Sequence, residues 1–140
     1  MMDTIQVDIV SAEGQIFSGP ASMVFLPASE GELGVAPRHA PLLSLLKAGE
    51  VRVRTPEGEE HSFYVGGGAL EIQPKRVTVL ADTAARAKDL DEAAALEARQ
   101  RAQEVLAGKV DQITQAEALA ELARAIAQLR LIEKLRKGLR

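Results

Sequence analysis

Cysteine, tryptophan and asparagine are absent from this 140-residue chain, and aromatic residues make up only 3% of it. Without cysteine there is no disulfide framework and no thiolate chemistry. A reducing compartment fits that absence without being required by it. A shortage of Asn and Cys occurs in some heat-adapted proteins, and a biased codon usage accounts for it equally well. Charge of one sign is also lacking: 17 Lys and Arg against 20 Asp and Glu leave a formal net charge of −3, which gives no basis for binding nucleic acid. No apolar run approaches the roughly 18 residues of a membrane-spanning helix. The opening Met-Met-Asp-Thr does not read as a secretory signal. Any association with a membrane is expected to run through other proteins, with no direct insertion.

Recognisable catalytic chemistry is missing as well. His39 and His61 lie in different segments without paired helical spacing, so no metal site is expected. Gly66-Gly67-Gly68 precedes a strand pattern and no Lys-Ser or Lys-Thr follows it, so a bulge or a close backbone approach is expected there, not a phosphate loop. There is no nucleophile elbow and no separated pair of acids in a defined cleft. The chain is expected to have no catalytic residues.

What is present divides near residue 84. Ile5, Val7 and Ile9 alternate with polar residues at the period of a half-buried strand. Glu13-Gly14 reads as a turn, Gln15-Ile16-Phe17 as the returning strand, and Gly19-Pro20 as a break. Met23-Val24-Phe25-Leu26, ended by Pro27, reads as a strand buried on both faces. Val51 and Val53 alternate with Glu50, Arg52 and Arg54. Pro56-Glu57-Gly58-Glu59 turns the chain back into Phe63-Tyr64-Val65. Leu70 and Ile72 follow, then Pro74-Lys75 and Val77 to Leu80. About eight to ten strands at this spacing predict an all-β sandwich over residues 1–84.

Within that lobe, Ser29 to Leu46 has the most particular order. Gly31 and Gly34 suit a tight turn around Glu32-Leu33. Pro37 and Pro41 stiffen a connection into Leu42-Leu43 and Leu45-Leu46, which read as a buried segment. Two glycines and two acids on a turn make a poor core and a good exposed contact.

After Thr83 proline disappears, glycine survives only at Gly108 and Gly138, and alanine and leucine dominate. Asp89 to Glu92 reads as a capping box for one helix, which Gly108 ends. Thr114 to Glu117 reads as a second box, for a helix reaching toward Lys137. The segment 108–113 between them is short, so residues 85–140 are predicted to form an antiparallel two-helix hairpin. The fold class is thus α+β. The second helix carries a stripe of Leu119, Leu122, Ile126, Leu129 and Ile132. Beside it run Ala116, Ala120, Ala123 and Ala127, matched on the first helix by Ala94, Ala98 and Ala102. From Arg124 onward the cations are Arg124, Arg130, Lys134, Arg136, Lys137 and Arg140, against Glu133 alone. Complementing the helix dipole explains part of this asymmetry; its extent suggests an acidic partner surface.

The stretch Gly31-Glu32-Leu33-Gly34-Val35, followed by Pro37, His39, Ala40, Pro41, Leu42 and Leu43, resembles the signature loop of the epsilon subunit of bacterial F-type ATP synthase. Asp8 to Glu13, Thr78 to Ala84 and Ala120 to Arg130 resemble that family too, in the same order, so the likeness covers essentially the whole chain. It implies a noncatalytic central-stalk subunit of a proton-translocating complex, peripheral at the cytoplasmic face of the bacterial plasma membrane. Its partners would be the gamma subunit, the c-subunit ring, and the acidic loops of the catalytic beta subunits with alpha. Glu30, Gly31, Glu32, Leu33 and His39 would face the c-ring. The basic helix, with Arg124, Arg130, Lys134, Arg136 and Lys137, would extend toward the beta subunits and inhibit ATP hydrolysis. Some members bind ATP on the hairpin. Here Leu90-Asp91 matches their motif, but Ala94 and Gln128 stand where arginines would help. Asp91, Arg101 and Arg124 therefore imply weak ATP contact or none. A rival reading is a free-standing β-sandwich adaptor whose hairpin recognises unrelated proteins.

Overall fold

The computed structural model describes residues 3–108 and 114–138. Eight strands come first: β1 (Ile5–Ser11), β2 (Gly14–Ala21), β3 (Met23–Ala28), β4 (Gly31–Val35), β5 (Leu42–Arg54), β6 (Glu60–Gln73), β7 (Arg76–Ala81) and β8 (Ala84–Arg86). They form one hydrogen-bonded system in the order β2-β1-β7-β6-β5-β3-β4, with β8 also on β6. β1 runs parallel to β7; the other pairings are antiparallel. Period-two side chains place Ile5, Val7, Ile9, Val24, Leu26, Val51, Val53, Phe63, Val65, Leu70, Ile72, Val77 and Val79 in a single core, each at most 1% exposed. This is the expected β-sandwich.

Its strands depart from the sequence reading in several ways. Val51-Val53 and Phe63-Val65 belong to two long strands, of 13 and 14 residues, that also contain Leu42–Leu46 and Leu70–Ile72. Gly19-Pro20 is not a break but lies inside β2, which is an edge strand where a missing N–H is tolerated. Pro27 lies inside β3, where the register against β5 shifts between Phe25 and Ala28; a bulge accommodates the proline. β3 is not buried on both faces: Val24 and Leu26 are inside, while Met23 and Phe25 are half-buried. The triple glycine is a close approach. At Gly68, φ is +132° and a Cβ would fall 2.1 Å from the Leu80 carbonyl oxygen.

The chain divides after Arg86 into a second compact unit. Ala87–Asp89 forms a 3-10 turn, so the N-cap of α1 (Glu92–Leu106) is Asp91 rather than Asp89. Asp91 is extended, and its carboxylate accepts the Ala94 N–H at 3.2 Å. α1 stops at Ala107-Gly108, with Gly108 at φ +79°. Thr114 caps α2 (Gln115–Gly138) by accepting the Glu117 N–H at 3.1 Å. The rest of the connection, 109–113, lies outside the described residues, as does Arg140.

The two helices are antiparallel, with Glu92 reaching Arg136 and Arg101 reaching Glu121. Their seam is built from small residues, but mostly not the expected ones. Ala95, Ala102 and Val105 on α1 and Ala118, Ala125 and Leu131 on α2 are buried. Ala94, Ala116, Ala120 and Ala123 are exposed, and Leu119 of the expected stripe is 58% exposed. Ala95 with Ala102, and Ala118 with Ala125, stand one heptad apart, the spacing that keeps a seam facing a partner helix.

Candidate functional site

Ala28 pairs with Gly31 across a tight turn at Ser29-Glu30, and Gly31, at φ +130°, returns the chain into β4. The turn therefore falls before Glu32-Leu33, which lie in the edge strand itself, and Gly34 is not among the positive-φ residues. Glu30, Gly31, Glu32 and Leu33 line an open groove of about 720 Å³ with Leu42, Leu43, Leu45 and Leu70. The leucine run was expected to be buried. Instead Leu42, Leu43 and Leu45 are 40%, 75% and 68% exposed, and only Leu46 enters the core. Strand alternation explains two of these: consecutive leucines in a strand point to opposite faces, so Leu43 and Leu45 must point away from the core that Leu46 joins, while Leu42 shares the Leu46 face and is left partly uncovered at the start of β5.

His39 is placed elsewhere. It does not line the groove, and its Nδ1 lies 2.7 Å from the neighbouring Ala40 carbonyl oxygen. Beside it Arg38, at φ +67°, donates its N–H to the Pro74 carbonyl at 2.8 Å and pairs with Asp3. The fold brings Glu30 to Leu33 together with the leucines and leaves His39 at the β6–β7 turn.

The groove continues into an apolar row that was not read from the sequence. Leu45 of β5 is paired with Ala69 of β6, Ala69 with Leu80 of β7, and Leu80 with Val10 of β1, so all four share one face of the sheet. Leu80 is 55% exposed. Alternation within Val77 to Leu80 was the available signal, since burying Val77 and Val79 turns Leu80 outward.

Polar residues frame the row. Asp8 Oδ1 accepts from Ser18 Oγ at 2.6 Å and from Gln6 Nε2 at 3.1 Å, and its other oxygen meets Arg76. Partial burial pushes the Asp8 carboxyl up, but the two hydrogen bonds and the Arg76 guanidinium outweigh that and hold it below the ordinary aspartate value. Among the described residues, no group of three His, Cys, Asp or Glu side chains is placed to hold a cation. No described helix is long and apolar enough to cross a membrane.

On the hairpin, much of the basic face is already engaged. Arg136 pairs with Glu92, Lys137 with Glu133 at 3.3 Å, and Lys134 also has a partner. Arg124 is half-buried and Arg130 exposed. Arg101 donates from Nε and Nη2 to Glu121 Oε1, at 3.2 and 2.7 Å, while Asp91 is occupied as the N-cap.

The β-sandwich domain of the ATP synthase delta/epsilon chain matches residues 4–87, and the long α-helix domain of the same chain matches residues 88–133. The ATP synthase epsilon chain of Halorhodospira halophila is 60% identical over 138 residues, 97% of each chain. That of Nitrosococcus oceani is 59% identical over 139 residues, 99% of each. In fold, the chain is similar to one in the Euglena gracilis mitochondrial ATP synthase OSCP/F1/c-ring structure, with a TM-score of 0.69 at 19% identity, covering 98% of this chain and 82% of that one. A chain of the Tetrahymena thermophila mitochondrial ATP synthase central stalk and c-ring gives 0.63 at 11% identity, covering 93% of this chain and 97% of that one. The chain belongs to the ATP synthase delta/epsilon family, as a noncatalytic subunit of the central stalk.

Proposed function

We propose that this chain couples the c-subunit ring to the gamma subunit of a proton-driven bacterial ATP synthase, held peripherally at the cytoplasmic face of the plasma membrane. The groove of Glu30 to Leu33 and Leu42 to Leu45 meets the ring, and the adjoining row from Leu45 through Leu80 to Val10 meets gamma. The hairpin restrains ATP hydrolysis by extending its basic helix toward acidic loops of the beta subunits. The observation that carries the coupling reading is the leucine cluster. Three leucines at 40%, 75% and 68% exposure beside a two-acid hairpin are unexplained by the core of an isolated sandwich. They are explained by a permanent partner. We expect ATP to be at most a weak ligand of the hairpin, because Ala94 and Gln128 stand where arginines would help, and Arg101 and Asp91 already have Glu121 and the Ala94 N–H as partners.

Leu43→Ser with Leu45→Ser tests this. Burying a leucine contributes about 1.5–3 kcal/mol, so losing two should weaken docking tenfold or more. The variant chain should fail to restore proton-driven ATP synthesis to membranes stripped of the native chain, while hydrolysis by the detached catalytic sector is unchanged. Full synthesis with this variant would place the ring contact elsewhere.

A further inference from the structure

A row of side chains crosses four neighbouring strands on the outer face of the sheet, with Arg52 at its middle. Ser62 on β6 donates its hydroxyl to Glu50 on β5 at 2.5 Å. Glu50 Oε1 stands 3.8 Å from Arg52 Nε on the same strand. Arg52 Nη2 then donates to Glu32 Oε1 on β4 at 3.0 Å. Because β3 lies between β5 and β4, this last bond spans two strand spacings, about 10 Å.

Two features of β3 and β4 make that reach possible. The Arg52 guanidinium lies over the Phe25 ring, its Cζ 4.3 Å from the centroid, so the side chain passes over β3. Gly34, paired with Phe25, leaves the ring room: a Cβ there would come 3.3 Å from Phe25 Cε1 and 3.1 Å from Met23 Cε. Arg52 is therefore 22% exposed, against 59% for Glu32. A guanidinium already fixed by stacking loses less freedom on gripping a carboxylate.

β4 gains from such a tie. It closes the sheet order as an edge strand, paired with β3 on one side. We infer that Arg52 is the positioning residue for the acidic wall of the groove. It fixes the Glu32 carboxylate and holds the edge strand against β3, so the β3–β4 hairpin meets its partner as a preformed surface. This rests on the groove being the ring contact.

The test returns the full chain to membranes whose synthase has been stripped of it and measures the concentration that half-restores ATP-driven proton pumping. Arg52→Gln and Glu32→Gln should each raise that concentration roughly three- to tenfold. The double variant should be no worse than the poorer single, because the two residues act as one unit. Arg52→Lys, which keeps the charge and loses the flat fork, should fall between Arg52→Gln and the native chain. Arg54→Gln should restore pumping normally, since Arg54 shares the Phe25 ring but pairs with Glu60. Thermal unfolding of each full chain checks that the sandwich is intact. Normal restoration by Arg52→Gln alongside impaired Glu32→Gln, or additive losses in the double variant, would overturn the positioning role and leave the groove contact standing. Normal restoration by both Glu32→Gln and the Leu43→Ser, Leu45→Ser chain would instead remove the groove contact itself.

Discussion

Asp8 ties three strands together with one carboxylate. It sits on β1, takes the Ser18 hydroxyl from β2, and meets Arg76 from the start of β7. Its side chain is 14% exposed, so these bonds act where water screens them only partly. Because the folded carboxyl is held below the ordinary aspartate value, its contribution to stability is fully present above the unfolded value of about 3.9. It is lost as pH falls below that and through the folded value, where the proton is taken up. Asp8→Asn keeps the shape and removes the charge. The native chain should therefore melt higher than Asp8→Asn at pH 7, and the gap should close as pH falls below the ordinary aspartate value and through the lower folded one. A gap independent of pH would assign the effect to shape alone.

Elements were legible where alternation was clean and one face was buried. Ile5-Val7-Ile9 and Val51-Val53 place themselves, because a slip of one residue would turn every apolar side chain to water. β5 as a whole was not legible. Leu42 to Leu46 reads as interior by composition, yet exposure follows from alternation and from what the neighbouring strands leave uncovered, and a single sequence states only the first. The proposed contact segment stands out by its residue order, whereas Arg52 does not, because the role inferred for it depends on β3 lying between β5 and β4. The hairpin shows the same limit. Alanine was plainly its theme, but which alanines face inward depends on a rotation of one residue, about 100°, and 54 residues rich in alanine offer several choices. The seam that results is tight and shallow. Ala125 is 2% exposed on α2, and Leu at that position adds three carbons at a buried site. Overpacking of this kind costs about 1–3 kcal/mol. Ala125→Leu should therefore speed hydrogen exchange across α1 and α2 and leave the amides of β1, β6 and β7 unchanged. Ala123→Leu, at an exposed position on the same helix, should change neither.

At the scale of the whole molecule, the described core of the sandwich runs from Ile5 to Ala84, and the chain from Ala87 onward is a separate compact unit. Under the proposed function, one half would stay docked while the other changes state. Under the proposed inhibitory role, the basic face of α2 has two competing sets of acids: Glu92 and Glu133 within the hairpin, and the acidic loops of another subunit. The pair between Arg136 and Glu92 is half-exposed, with side chains 56% and 42% accessible. A pair of that kind contributes roughly 0–1 kcal/mol, which shifts a two-state population at most about fivefold. Opposite changes in ATP hydrolysis are therefore expected from two variants that weaken the same bond. Glu92→Gln releases Arg136 and leaves every cation in place, so the extended arm gains and hydrolysis by the reconstituted complex should fall. Neutralising Arg130, Lys134, Arg136 and Lys137 together removes what the arm would grip, so hydrolysis should rise. Ending the chain at residue 113 should raise it further, with ATP synthesis retained because the sandwich is untouched. Higher salt should move the native chain toward the neutralised one, since screening acts most on exposed pairs. Equal hydrolysis from all of these chains would reduce the basic run on α2 to complementing the helix dipole.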